Sequence, residues 1–130
     1  MSVVLKEHQQ MLHQMVVDFS RKEIKPLDMV IDKQKGYPKA LWDKIVETGF
    51  LGLIVPKEFG GADFDPVAEA QTIFDIASNS ASVAFTLEGH YKTVDQLKKY
   101  GKASLKEKYL PEANKRILVL VLPNLKVVPM

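Results

Sequence analysis

Residues 37–62 read YPKALWDKIVETGFLGLIVPKEFGGA, and their pattern changes twice. Pro38 suits the first turn of a helix, where its missing N–H would have had no partner anyway. Leu41 with Ile45 and Trp42 with Val46 form i,i+4 apolar pairs on that helix. Gly49 then supplies a left-handed C-terminal cap. From Phe50 to Pro56 the residues are apolar with neither the helical nor the strand period, which predicts a buried connector closed by Pro56. The glycine pair 60–61 makes a loop of the stretch after it.

Working outward, Leu5, Leu12, Met15, Val16 and Phe19 sit at helical spacing, and Pro26 predicts a stop or kink near Lys25. A short helix over Leu27–Asp32 is expected before the turn KQKGYP. Downstream, Asp65 and Pro66 read as an N-cap and first helical residue, with Val67, Ile73, Phe74 and Ala77 inward. After SNSAS, a helix is predicted over 82–100 carrying Val83, Phe85, Leu87, Val94 and Leu97, ended by Gly101. Ser104 with Glu107 forms a capping-box pattern for a last helix reaching Tyr109 and Leu110. The expected class is all-α, an up-and-down domain of five or six helices over residues 1–116. The tail 117–130, within RILVLVLPNLKVVPM, reads as a strand without a partner. An unpaired apolar strand is an edge liability. The tail is therefore expected to fold back over the helices or to pair with the same segment of a second chain.

Composition narrows the function classes. At 130 residues, 46% hydrophobic and 26% charged, the chain has the size and balance of one ordinary globular domain. A net charge of +2 gives no reason to expect nucleic acid. No cysteine is present, so disulfides, thiolate metal ligands and cysteine nucleophiles are excluded, and a cytoplasmic location is expected. The start MSVVLKEHQQ turns polar too early for a signal peptide, and no apolar run approaches the roughly 20 residues of a membrane span. His8 and His13 fall on different helix faces and His90 does not face Glu88. All three are expected at the surface or half-buried, with no zinc-like spacing. EFGGA is not a phosphate loop. From Lys92 to Arg116 eight basic residues stand against three acidic ones, the pattern of a solvated face. Glu88, in AFTLEGHY beside Gly89, has two readings: an exposed carboxylate, or a polar group at a pocket floor where the glycine leaves room for a ligand.

The order of these segments resembles the N-terminal domain of the FAD-dependent acyl-CoA dehydrogenases over about residues 5–122. The resemblance is carried by LKEHQQMLHQMVVDFSRKEIKP, by YPKALWDKIVETGFLGLIVPKEFGGA, by SASVAFTLEGH and by YGKASLKEKYLP. It implies a helical domain that packs, in the complete enzyme, against a β domain and a C-terminal four-helix bundle. That enzyme dehydrogenates the Cα–Cβ bond of an acyl-CoA thioester. A carboxylate base takes the α-proton while FAD accepts a hydride, and electrons pass to an electron-transfer flavoprotein. By the same resemblance Phe85, Glu88, Gly89 and Lys92 lie on the helix lining the acyl-tail pocket. Lys92 departs from the apolar residue expected there, and Glu88 at i−4 is its natural partner.

The tail departs further. Leu122, Pro123 and Asn124 match a remnant of the flavin-contacting segment, but the Thr-Glu pair is missing and LKVVPM replaces the glycine-containing turn. The expectation is a truncated or split acyl-CoA dehydrogenase, inactive alone and binding no FAD by itself. The alternative is a non-enzymatic helical module that self-associates, or meets a complementary chain, through its exposed apolar face and tail. Retained binding of acyl-CoA or lipid is a third possibility.

Overall fold

The computed structural model describes residues 4–121 and 126–129, with side chains described through residue 119. Six α-helices occur among them: α1 (Glu7–Phe19), α2 (Asp28–Gln34), α3 (Lys39–Thr48), α4 (Pro66–Ala77), α5 (Ala81–Tyr100) and α6 (Ala103–Tyr109). Two short strands follow, β1 (Leu118–Val121) and β2 (Lys126–Pro129). The class is all-α, as expected, and none of the helices is long and apolar enough to cross a membrane.

Local signals account for three of the helix ends. Gly49 closes α3 at φ 84°, its amide donating to the Val46 carbonyl. Asp65 caps α4 by accepting from the Ala68 amide at 2.9 Å. Ser80 caps α5 through the Val83 amide. The Ser104–Glu107 capping box does not form, because α6 already begins at Ala103 and Ser104 lies inside its first turn. Pro26 kinks the chain without ending it. A wider π-type turn over Ser20–Ile24, then a 3-10 turn over Lys25–Leu27, absorbs the missing N–H before α2 starts.

The connector after α3 is buried from Phe50 to Val55, and the burial succeeds because every one of its carbonyls has a partner. Helix α5 satisfies three: Tyr91 Oη donates to Phe50 O at 2.6 Å, the His90 ring bonds Leu51 O at 2.9 Å, and Lys98 Nζ donates to Ile54 O at 2.8 Å. The loop that follows satisfies the rest, with amides of Ala62, Phe64 and Asp63 donating to the carbonyls of Gly52, Leu53 and Val55. This docking requires Gly61, where any Cβ would collide with the Val55 carbonyl.

Helix α4 faces the core one position away from the apolar pattern. Ala68, Gln71, Thr72, Asp75 and Ile76 are buried and Ile73 is half-buried against the core, whereas Val67, Phe74 and Ala77 are exposed. Polar partners on α1 and on α4 itself satisfy this buried face. His13 Nδ1 meets Asp75 Oδ2 at 2.6 Å, Gln71 donates to the other Asp75 oxygen, and Gln9 donates to both oxygens of Asp65. A polar group with its hydrogen bonds made can be buried. Met15 of α1, expected inward, is 48% exposed.

The tail corrects a second expectation. Strand β1 does have a partner in its own chain: β2 pairs with it antiparallel, from Leu118 opposite Pro129 to Val121 opposite Lys126. It also folds back over the helices as anticipated, packing on α5 with Ile117 and Leu118 buried in the core.

Candidate functional site

Helix α5 has a closed face and an open one. Leu87, Tyr91 and Val94 are fully buried, while Phe85 is 78% exposed. Between the open face and β1 lies a groove of about 230 Å³, almost wholly apolar, lined by Phe85, Thr86, Gly89, His90, Ile117 and Val119. A Cβ added at Gly89 would meet nothing within 4 Å, so this glycine widens the groove and relieves no clash. Of the four positions singled out on α5, Phe85 and Gly89 line the groove. Glu88 and Lys92 sit beside it as a half-exposed pair, Lys92 Nζ to Glu88 Oε1 at 3.3 Å. Leu122, Pro123 and Asn124 lie outside the described residues.

His90 is the residue that sequence reasoning misplaced. Far from being at the surface, it is fully buried. The Leu118 amide donates to its Nδ1 at 3.0 Å, so Nδ1 is unprotonated and Nε2–H donates to Leu51 O. Burial pushes its pKa down, opposed by carbonyls of Leu51 and Ala113. One neutral ring thus ties three segments together. A signal existed in the sequence: position 90 fills the gap between Leu87 and Val94 on the inward stripe of α5.

Other surfaces are less organised. A cleft of about 360 Å³ lies between α3 and residues 115–117, floored by Trp42, Val46 and Leu51. Its Arg116 is held by Glu112 at 3.2 Å, and the Tyr37 hydroxyl turns away to Ser82 and Thr86. Asp43 and Lys115 also line it. The glycine loop offers no anion cradle, because the amides of Gly60, Gly61 and Ala62 all donate to carbonyls of their own chain. Asn114 and Val55 already occupy the space beside Gly52 and Gly61. Among the described residues no group of three metal-binding side chains occurs.

A helical domain whose longest helix borders an apolar groove, with the chain leaving through a strand on the far wall, is the class defined here. The family model of the acyl-CoA dehydrogenase N-terminal domain matches residues 6–115, and the chain belongs to that family. It is 34% identical over 106 residues to an acyl-CoA dehydrogenase of Bacillus subtilis (strain 168), covering 81% of this chain and 28% of that protein. It is 29% identical over 115 residues to the acryloyl-CoA reductase (NADH) of Anaerotignum propionicum, covering 88% of this chain and 29% of the other. The structure of butyryl-CoA dehydrogenase from Megasphaera elsdenii superposes with a TM-score of 0.79 over 97% of this chain and 35% of that one. At 24% identity that likeness speaks for the fold alone. The chain therefore spans less than a third of the length of these curated relatives.

Proposed function

We propose that this chain forms one wall of the acyl pocket in an enzyme that dehydrogenates acyl-CoA thioesters. It does so together with a flavin-binding domain and a carboxylate base that the described residues do not supply. FAD bound by that other domain would accept the hydride, with an electron-transfer flavoprotein as the onward partner. The residues of this chain hold the substrate. Phe85, Ile117 and Val119 cover the hydrocarbon and keep water from it, Gly89 leaves it room, and the Glu88–Lys92 pair keeps both charges outside the groove. The observation that carries the reading is the apolar groove opened by Gly89.

Calorimetric titration with butyryl-CoA tests this. Binding is expected, with at least a roughly tenfold weaker Kd in Gly89→Leu, because one Leu side chain would fill the space a few methylenes occupy. Equal affinity of the two proteins would defeat the acyl reading. An absorbance spectrum with added FAD is expected to show no flavin retained after gel filtration, and a persistent flavin band would overturn the need for a second domain.

A second reading is favoured by Val67 and Phe74, seven residues apart on the outer face of α4 and 42% and 50% exposed. That face suits contact with another domain or a second copy of the chain. Sedimentation showing a monomer at high concentration would remove the self-association version.

A further inference from the structure

His90 both lines the groove and holds its opposite wall. Its Nε2–H is anchored on Leu51 O at 2.9 Å, and its Nδ1 accepts the Leu118 amide at 3.0 Å. Leu118 is fully buried, and its neighbours Ile117 and Val119 form the β1 side of the groove. The bond to Leu118 exists only while Nδ1 has a free lone pair, because a protonated imidazole has two donors and no acceptor. The Ala113 carbonyl lies near enough to favour the charged ring.

We propose that His90 is a proton-operated latch on the groove: when the ring takes up a proton, Nδ1 releases the Leu118 amide and β1, with Ile117 and Val119, comes away from α5. The latch regulates the groove assigned above to the acyl chain, although the inference stands on backbone geometry that needs no ligand.

The surroundings suit a ring that answers to solvent protons rather than to a fixed neighbour. Leu51, Ala113 and Leu118, which meet it from the connector, the 112–114 turn and β1, carry no ionisable side chain. On the 112–117 segment, Glu112 and Arg116 pair with each other and Lys115 lines the other cleft. On α5 itself, Tyr91 lies with its ring centroid 6.0 Å away and its hydroxyl committed to Phe50 O. Glu88 and Lys92 neutralise one another. Lys98 is bonded to Ile54 O.

Amide hydrogen exchange of the whole chain, corrected for intrinsic rates, at about pH 7.5 and about pH 5 tests the latch without any acyl ligand. The Leu118 amide is expected to lose protection at least roughly tenfold at the lower pH, and by more than the amides of α1 and α4. In His90→Asn the side-chain oxygen can still accept from Leu118 but cannot titrate, so the extra loss should vanish. Equal Leu118 protection of the wild type at both pH values would overturn the proposal, as would the same acid-dependent loss in His90→Asn. If that variant fails to fold, nitrogen NMR of the wild-type imidazole decides. The neutral Nε2–H tautomer at about pH 7.5, protonating in step with the loss of Leu118 protection, supports the latch. A protonated Nδ1 at that pH refutes it. Because no thioester is used, failure here leaves the acyl reading standing, and failure to bind butyryl-CoA leaves the latch standing.

Discussion

Two glycine positions of this chain look alike in sequence and behave oppositely. Gly61 sits where a Cβ would collide with the Val55 carbonyl, while Gly89 sits where a Cβ would meet nothing. The first lies in a loop that closes over a buried connector, and the second lies on the open face of a helix that is otherwise packed. Glycine in the first place lets backbone approach backbone. In the second it leaves an unfilled groove, at the cost of helix propensity. The contrast separates a glycine required by close packing from one that packing does not require.

The largest test of the closed side is Leu87→Ala, which removes a fully buried side chain from the inner face of α5. A loss of about 3 kcal/mol is expected in urea unfolding. Gly61→Ala should cost about 2 kcal/mol, since the collision is with backbone that cannot rotate away. A loss below about 0.5 kcal/mol would break the contrast with Gly89, because it would show the loop free to move.

Acid probes the junction between the two sides. Burial holds the His90 pKa below its ordinary value of 6.5, so the unfolded chain takes up a proton more readily than the folded one. The contribution of His90 to stability is therefore complete above about pH 6.5 and is lost as pH falls from there toward the lower folded-state pKa. The slope from this one group is at most about 1.4 kcal/mol per pH unit. Unfolding midpoints across that range should drop in the wild type, and less steeply in His90→Asn.

On the open side, Gly89→Ala is expected to stabilise the chain by about 0.5–1 kcal/mol, because alanine is the better helix former and has room. Destabilisation would mean the groove is closed in solution. The smallest effect is expected from Glu88→Gln, which breaks a half-exposed i,i+4 pair. About 0.3 kcal/mol, fading with added salt, should appear in thermal melts.

Much of the helical architecture can be read from particular residues. Gly49 ends α3, Asp65 and Pro66 begin α4, and the aperiodic FLGLIVP is the buried connector that its pattern indicates. The face of α4 could not be read in the same way. Apolar periodicity points Phe74 inward, but Asp75 is the buried one because His13, sixty-two positions earlier, reaches it. His90 was misplaced for the same kind of reason. A histidine is polar by composition, and its burial depends on two backbone groups, Leu51 O and Leu118 N–H, that the chain brings together only by folding. An opening at Gly89 was one of two readings of AFTLEGHY, Phe85 entered only by resemblance, and the β1 wall of the groove was in neither.

By itself, then, the sequence determined what local rules govern: where helices start and stop, that the class is helical, and which family the chain resembles. These follow from caps, glycines, prolines and spacing within a few residues of one another. Tertiary structure decided which polar groups are buried and which strand β1 pairs with. It also separated Gly61, packed against Val55, from Gly89, open to the groove. Each of those outcomes depends on partners distant in the chain, and the energy of a hydrogen bond or a packed atom is set by the group that meets it.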